Sequence, residues 1–312
     1  MGMQTETTLK DAYSLIEECK FQQAFEILNR ALTADLENDN LVYAIKCCNF
    51  WQKVMDKLTE LGYFERGEYL LSEWKRFYQS EQSENFIEDE QKKIFYAFRK
   101  GVFSLALEFY LKANDEKDSR LRAEIYRKQG ICYKKLGSYE QALKLLSMAN
   151  AETPNCAQIM AEMADSYALC SETKKAKLLF REAFYVDPQK IDLLFLDSEL
   201  IHLLISKVKE TYKDSGDILE WIPVYGVLYS VLNIKRTLKS QEVLHLKQEI
   251  FTTESEIKDP DCNIKVLKPR LINMYFRLID HYLLTKDNIS KINELMLKIK
   301  LRDPEVYKIY VS

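Results

Sequence analysis

The chain has 312 residues, 47% of them hydrophobic and 30% charged, with a formal net charge of −3. Its hydrophobic content excludes a disordered chain, and its near-neutral balance excludes a global pull toward nucleic acid or an anionic membrane. Eight glycines and six prolines are few for this length, which argues against many short strands and for long helices with brief connections.

The first ten residues, Met1–Lys10, are polar and lack the apolar stretch of a secretory leader. Glu6 stands where an N-myristoylation signal requires Ser or Thr. Helical spacing starts at Ala12-x2-Leu15 and continues as Phe21-x2-Ala24-x3-Leu28-x2-Ala31, which predicts a helical unit over 1–38. Residues 38–47 extend the helix leading into a second unit, 39–82, marked by Trp51-x2-Val54-Met55-x2-Leu58 and Leu61-Gly62-x-Phe64-x2-Gly67-x3-Leu71-x2-Trp74. Gln79 to Glu90 is polar and acidic and reads as a loop or helix start. It opens a third unit, 83–120, in which Gly101-x-Phe103-x2-Ala106-x3-Tyr110-x2-Ala113 is expected to form a second helix.

The fourth unit, 121–156, is the clearest. It reads Tyr126-x2-Gln129-Gly130-x2-Tyr133, Leu136-Gly137-x-Tyr139, Ala142-x3-Leu146-x2-Ala149 and Pro154. Gly130 and Ala142 are small where two helices press together, Gly137 suits the turn between them, and Pro154 ends the unit. The fifth unit, 157–190, keeps the phase with Met160-x2-Met163-Ala164-x2-Tyr167, Ala176-x3-Phe180-x2-Ala183 and Pro188, 34 residues after Pro154.

Residues 191–270 form a divergent helical segment; from 205 onward the repeat spacing is absent. They contain the apolar stretch Trp221 to Tyr229, with Pro223 expected near a helix start, and an amphipathic helix from about Gln241 to Ile257. Pro269 is expected in the first turn of the next helix. Trp221, Tyr225 and Tyr229 have two readings, a cap over the end of the repeat array or an interface for a partner or a second copy. The last unit, 271–312, is a degenerate echo, with Asp280 at the small-residue position and Ile292 at the alanine position.

Chemical signatures are sparse. The seven cysteines form no C-x-x-C pair, and free thiols in apolar stretches point to a reducing, cytoplasmic setting. Cys47 and Cys48 read as one buried thiol and one at an edge. His202, His245 and His281 belong to no zinc motif, and no phosphate-binding glycine loop is present. No cofactor, metal or catalytic residue is expected, and the longest apolar run, Trp221 to Leu232, is too short to span a bilayer.

These spacings resemble the tetratricopeptide repeat family, whose pattern is W-x2-L-G-x2-Y, A-x3-F and a final P. The resemblance covers about two thirds of the chain and is specific over 123–190. It implies an all-α, right-handed α-solenoid of five to six antiparallel helix pairs, with a divergent helical C-terminal segment. It also implies a concave groove lined by the first helix of each pair. Its candidate residues are Gln91, Phe95, Phe98 and Arg99, then Arg127, Ile131, Lys134 and Lys135, then Gln158, Asp165 and Ala168. Such a groove suits an acidic protein segment with an apolar anchor, although Arg127, Lys134 and Lys135 read equally well as a solvated helix face. The asparagines of the chaperone-tail clamp are missing, since Gln91, Phe95, Ile131 and Glu162 stand at the relevant places.

The expected function is therefore a protein-interaction scaffold or adaptor, for which a bacterial cell-envelope or motility assembly is one setting within the family's range. Two other classes stay open: an enzyme with a site between solenoid and C-terminal helices, and a ligand-responsive regulator in which residues 205–270 move. Neither nucleic acid nor a transmembrane segment is expected, and a homo-oligomer is open.

Overall fold

The computed structural model describes residues 3–82, 89–113, 118–212 and 218–312. The regular structure of these residues is all α, fifteen α-helices and three short 3-10 turns, without a strand. The chain divides into two compact units, Met1–Thr153 and Pro154–Ser312.

Unit 1 holds α1 (Met3–Glu17), α2 (Phe21–Ala34), α3 (Asp39–Met55), α4 (Tyr63–Gln82), α5 (Asp89–Lys112), α6 (Ser119–Lys135) and α7 (Tyr139–Glu152). Asn38 caps α3 by accepting the Leu41 N–H, so the extended helix leading into the second unit has a defined start. The core of unit 1 contains an aromatic cluster. Trp51 and Trp74 are buried, with ring centroids 6.1 Å apart, and Phe77 lies 5.7 Å from Phe95 in a stacked pair. Such pairs add to the stabilisation from buried area alone.

The third unit departs from expectation. Asp89–Lys112 is one continuous helix, not two. Between Phe95 and Ala106 the only glycine or proline is Gly101, and Gly101 serves another contact. A Cβ on it would lie 2.4 Å from the Ile16 carbonyl oxygen, so the glycine lets α5 cross closely over α1. Tyr13 donates to Glu90, and Lys100 pairs with Glu17 at 2.6 Å across the same crossing.

The α6–α7 pair does use its small residues as the spacing predicts. A Cβ on Gly130 would meet Leu146 Cγ at 2.7 Å, and Ala142 is fully buried. Gly137 has φ +82° in the connecting turn, where only glycine is unstrained.

Unit 2 holds α8 (Ala157–Leu169), α9 (Thr173–Val186), α10 (Glu199–Thr211), α11 (Ile218–Leu228), α12 (Ser240–Glu256), α13 (Ile264–Thr285), α14 (Ile289–Arg302) and α15 (Pro304–Val311). Ala164 and Ala176 are buried on α8 and α9 as their counterparts are on α6 and α7. The turn between α8 and α9 also repeats. Glu172 N–H bonds the Tyr167 carbonyl as Ser138 N–H bonds that of Tyr133, at 2.8 and 2.9 Å. Lys20 to Leu15 after α1 and Asp287 to Tyr282 after α13 close the same ring, at 2.8 and 3.0 Å. The left-handed residues there are Cys19, Ser171 and Lys286, which carry a side chain where Gly137 carries none.

Both prolines of the divergent segment sit inside helices. Pro223 is the sixth residue of α11 and Pro269 the sixth of α13. Each is buried, so packing against the core outweighs the lost N–H hydrogen bond. Asp280 is buried rather than replaced by a small residue, and the core accepts it because Arg181 and Lys235 both pair with it.

Candidate functional site

The expected groove residues divide by burial. On α5, Gln91 and Arg99 are half-buried, whereas Phe95 and Phe98 belong to the aromatic core; Phe98 stacks on Phe21 at 5.6 Å. Arg99 lies 4.7 Å over the exposed Tyr96 ring. On α6, Ile131, Lys134 and Lys135 are buried. Arg127 is also buried and holds Glu124 through two hydrogen bonds, at 2.7 and 2.5 Å. Unit 1 therefore presents Gln91 and Arg99 at its surface but not the buried members of the set. In unit 2, Asp165 is wholly buried and accepts the Asp197 and Ser198 N–H groups, each at 2.8 Å, at the start of α10. There it offsets the positive end of that helix. Gln158 and Ala168 are half-buried on α8.

Trp221 and Tyr225 are buried in the core of unit 2. Trp221 stacks on Tyr212 at 4.6 Å, and Tyr225 lies 6.1 Å from Trp221. Tyr229, at the end of α11, is 36% exposed, with Lys207 4.8 Å over its ring. The cysteine pair differs from its reading, because Cys47 and Cys48 are both buried. Burial pushes the Cys48 thiol up to about 12. No group of three or more candidate metal ligands occurs among the described residues. Nor is any helix among them long and apolar enough to cross a membrane.

A concave site that sequence reasoning missed lies in unit 2, where α9 and α12 flank α13. It is a cleft with a cavity of about 400 Å³, lined by Tyr185, Glu249, Thr252, Arg270 and Met274 among others. A neighbouring hollow of about 330 Å³ shares Tyr185 and His245 and adds Glu242 and Arg277. α12 supplies one wall through a run of polar side chains from Gln241 to Glu256. At 1.5 Å per residue that wall is about 22 Å long.

The cleft's charges are fixed by a network. Glu182 on α9 accepts from Arg277 on α13, at 2.9 and 2.6 Å, and from Arg236, at 2.9 and 3.1 Å. Arg236 also donates to Glu242 on α12 at 2.7 Å. Burial raises the Glu182 carboxyl, but the two guanidiniums together outweigh it and hold the group below its usual range. The Arg236 hydrogen bond, followed by the Lys239 backbone N–H, lowers Glu242 to about 2. Arg277 lies 4.0 Å under the Tyr185 ring. Tyr185 donates to Glu249 at 2.5 Å, and burial together with that carboxylate holds the phenol well above its usual range. His245 Nδ1 is 3.3 Å from the same carboxylate. Arg270 is held by the buried Glu220 at 2.5 Å, and Glu220 also accepts from Gln189 at 3.1 Å.

The cleft therefore has polar walls in which Glu242, Glu249, Arg270 and Arg277 are held by hydrogen bonds, with an apolar floor at Leu267 and Met274. Such a surface can recognise a ligand by hydrogen bonding and charge. The chain matches no family model and no curated protein.

Proposed function

We propose that this chain is a protein-interaction scaffold or adaptor of the tetratricopeptide type, a right-handed solenoid of antiparallel helix pairs that binds a segment of another protein. The pairs α6–α7 and α8–α9 support the fold reading, because they repeat the same small-residue positions and the same turn 34 residues apart. The carrying observation for function is the cleft and its neighbouring hollow along α12, together about 22 Å long and open at the surface of unit 2. Their length accommodates roughly seven residues of extended chain at about 3.3 Å each. Side-chain amides and hydroxyls at Gln241, Gln248 and Thr252 are suited to hydrogen bonding with the backbone of such a segment.

The test is selection from a random twelve-residue display library on the full chain, followed by hydrogen exchange on the complex. The expected result is binders that slow exchange in α12 and α13. Failure to recover any binder overturns the segment-binding reading.

A further inference from the structure

We infer that the α9–α12 cleft takes a basic protein segment, with Glu249 and Glu256 as the anchors for its cations. This rests on the reading of the chain as a segment binder and names the class of segment.

Charge accounting around the cleft carries the inference. Each arginine on its floor already faces a buried or half-buried carboxylate of the protein, Arg277 with Glu182 and Arg270 with Glu220. Glu249 and Asp187 lie near enough to Arg270 to add to Glu220's effect. Glu242 is matched by Arg236. Glu249 is held by a phenol and a histidine rather than by a lysine or arginine, and Glu256 has no partner among the described residues. The cleft thus keeps an excess of negative charge after its own cations are counted, and a partner's cation is what remains to balance it.

Geometry narrows the segment further. Glu249 and Glu256 are seven residues apart on one helix, so their backbone positions are separated by about 10.5 Å. In a polyproline II segment, with three residues per turn and a rise of about 3.1 Å, residues three apart lie on one face and are separated by about 9.3 Å. A segment with lysine or arginine at positions one and four therefore reaches both carboxylates. The Tyr185 hydroxyl fixes the Glu249 carboxylate, so little ordering is needed when a cation arrives. Between the anchors, Leu267 and Met274 offer an apolar floor for an intervening aliphatic side chain. The same carboxylates disfavour an acidic segment and a nucleic acid strand alike.

The experiment uses the display selection described above and one fluorescein-labelled binder from it, titrated by anisotropy. The expected selection is enriched in pairs of Lys or Arg spaced by three. Each exposed ion pair is worth up to about fivefold in affinity, so Glu249→Gln with Glu256→Gln should weaken the binder about fivefold to twentyfold. Raising salt to about 500 mM should weaken wild type and leave the double variant nearly unchanged. Glu294→Gln removes one charge from α14, outside the cleft lining, and should leave affinity unaltered. Circular dichroism of each variant checks that it is folded, and Glu256→Gln alone, at an exposed position, serves if the double variant is not. Binders that are neutral or acidic, or basic binders indifferent to both substitutions, overturn the inference and leave the segment-binding reading intact. No binder at all overturns that reading first.

Discussion

Gly101→Ala isolates the contact that sets unit 1 apart from a chain of helix pairs. In isolation the change should help, since alanine is favoured over glycine inside a helix by about 1 kcal/mol. The crossing of α1 and α5 works against it. The new methyl would lie 2.4 Å from the Ile16 carbonyl oxygen and 3.2 Å from the Glu17 Cα. Those are backbone atoms, so no side-chain rotation relieves the clash, and the helices must part by roughly 1 Å. Overpacking of this kind costs about 1–3 kcal/mol or more, and parting the helices also loosens the packing around the fully buried Ile16 and Phe98. The net effect should be a destabilisation of about 1–3 kcal/mol. Gly130→Ala makes a useful comparison, because its methyl would meet Leu146 Cγ at 2.7 Å, an atom of a side chain that can shift. It should cost less, whereas the larger Gly130→Leu should cost as much as Gly101→Ala. Urea unfolding followed by the fluorescence of the buried Trp51 and Trp74, in a Trp221→Phe background that silences unit 2, reports unit 1. A Gly101→Ala protein as stable as wild type, or more stable by about 1 kcal/mol, would refute the close-crossing argument.

Three further outcomes are expected. Ser171→Gly should raise the melting temperature by a few degrees, because Ser171 sits at φ +64° and a left-handed L-residue costs about 1–2 kcal/mol; a fall would contradict the strain argument. The Glu242–Arg236 pair should contribute stability that is fully present above the unfolded carboxyl value of about 4.3 and is lost as pH falls toward about 2, since folding depresses this carboxyl. Arg236→Met should melt lower at neutral pH and lose less on acidification across that window, and equal losses in both proteins would count against the pairing. Cys47, Cys48 and Cys132 are buried, and burial pushes the Cys48 thiol up to about 12, so a thiol reagent should modify all three only on the timescale of unfolding. Rapid reaction of any of them in the folded protein would show an opening that the structure lacks.

The sequence revealed those features that repeat or that rest on one residue's chemistry. Gly130, Gly137 and Ala142 announce a helix pair because each position tolerates only a small side chain or a left-handed turn. Gly101 misled because a glycine that lets two distant helices cross has the same spacing as one inside a pair. The turns at Cys19, Ser171 and Lys286 gave no signal, because ordinary residues occupy a conformation that usually advertises itself by glycine. The prolines at 223 and 269 were placed by local rules, and burial overrode them. The cleft was not legible at all. Its charges come from α9, the 233–239 connection, α12 and α13, and Arg277 meets Glu182 across 95 positions of chain. No period or motif links residues that far apart. The family resemblance likewise assigned Phe98 and Ile131 to a groove-lining helix face without saying whether another helix already covered it.

The crossing of α1 and α5 also bears on how this protein could have grown. A linear array of helix pairs can gain or lose a pair with little consequence, since each touches only its neighbours. Here the first helix touches the fifth, and Lys100 reaches Glu17 across 83 positions of chain. Inserting or deleting a pair between them would pull apart the surfaces that meet at Gly101. The α1–α5 part of unit 1 should therefore melt as one cooperative block rather than fray from its first helix, and the number of helices within it is fixed by a closed circuit of contacts.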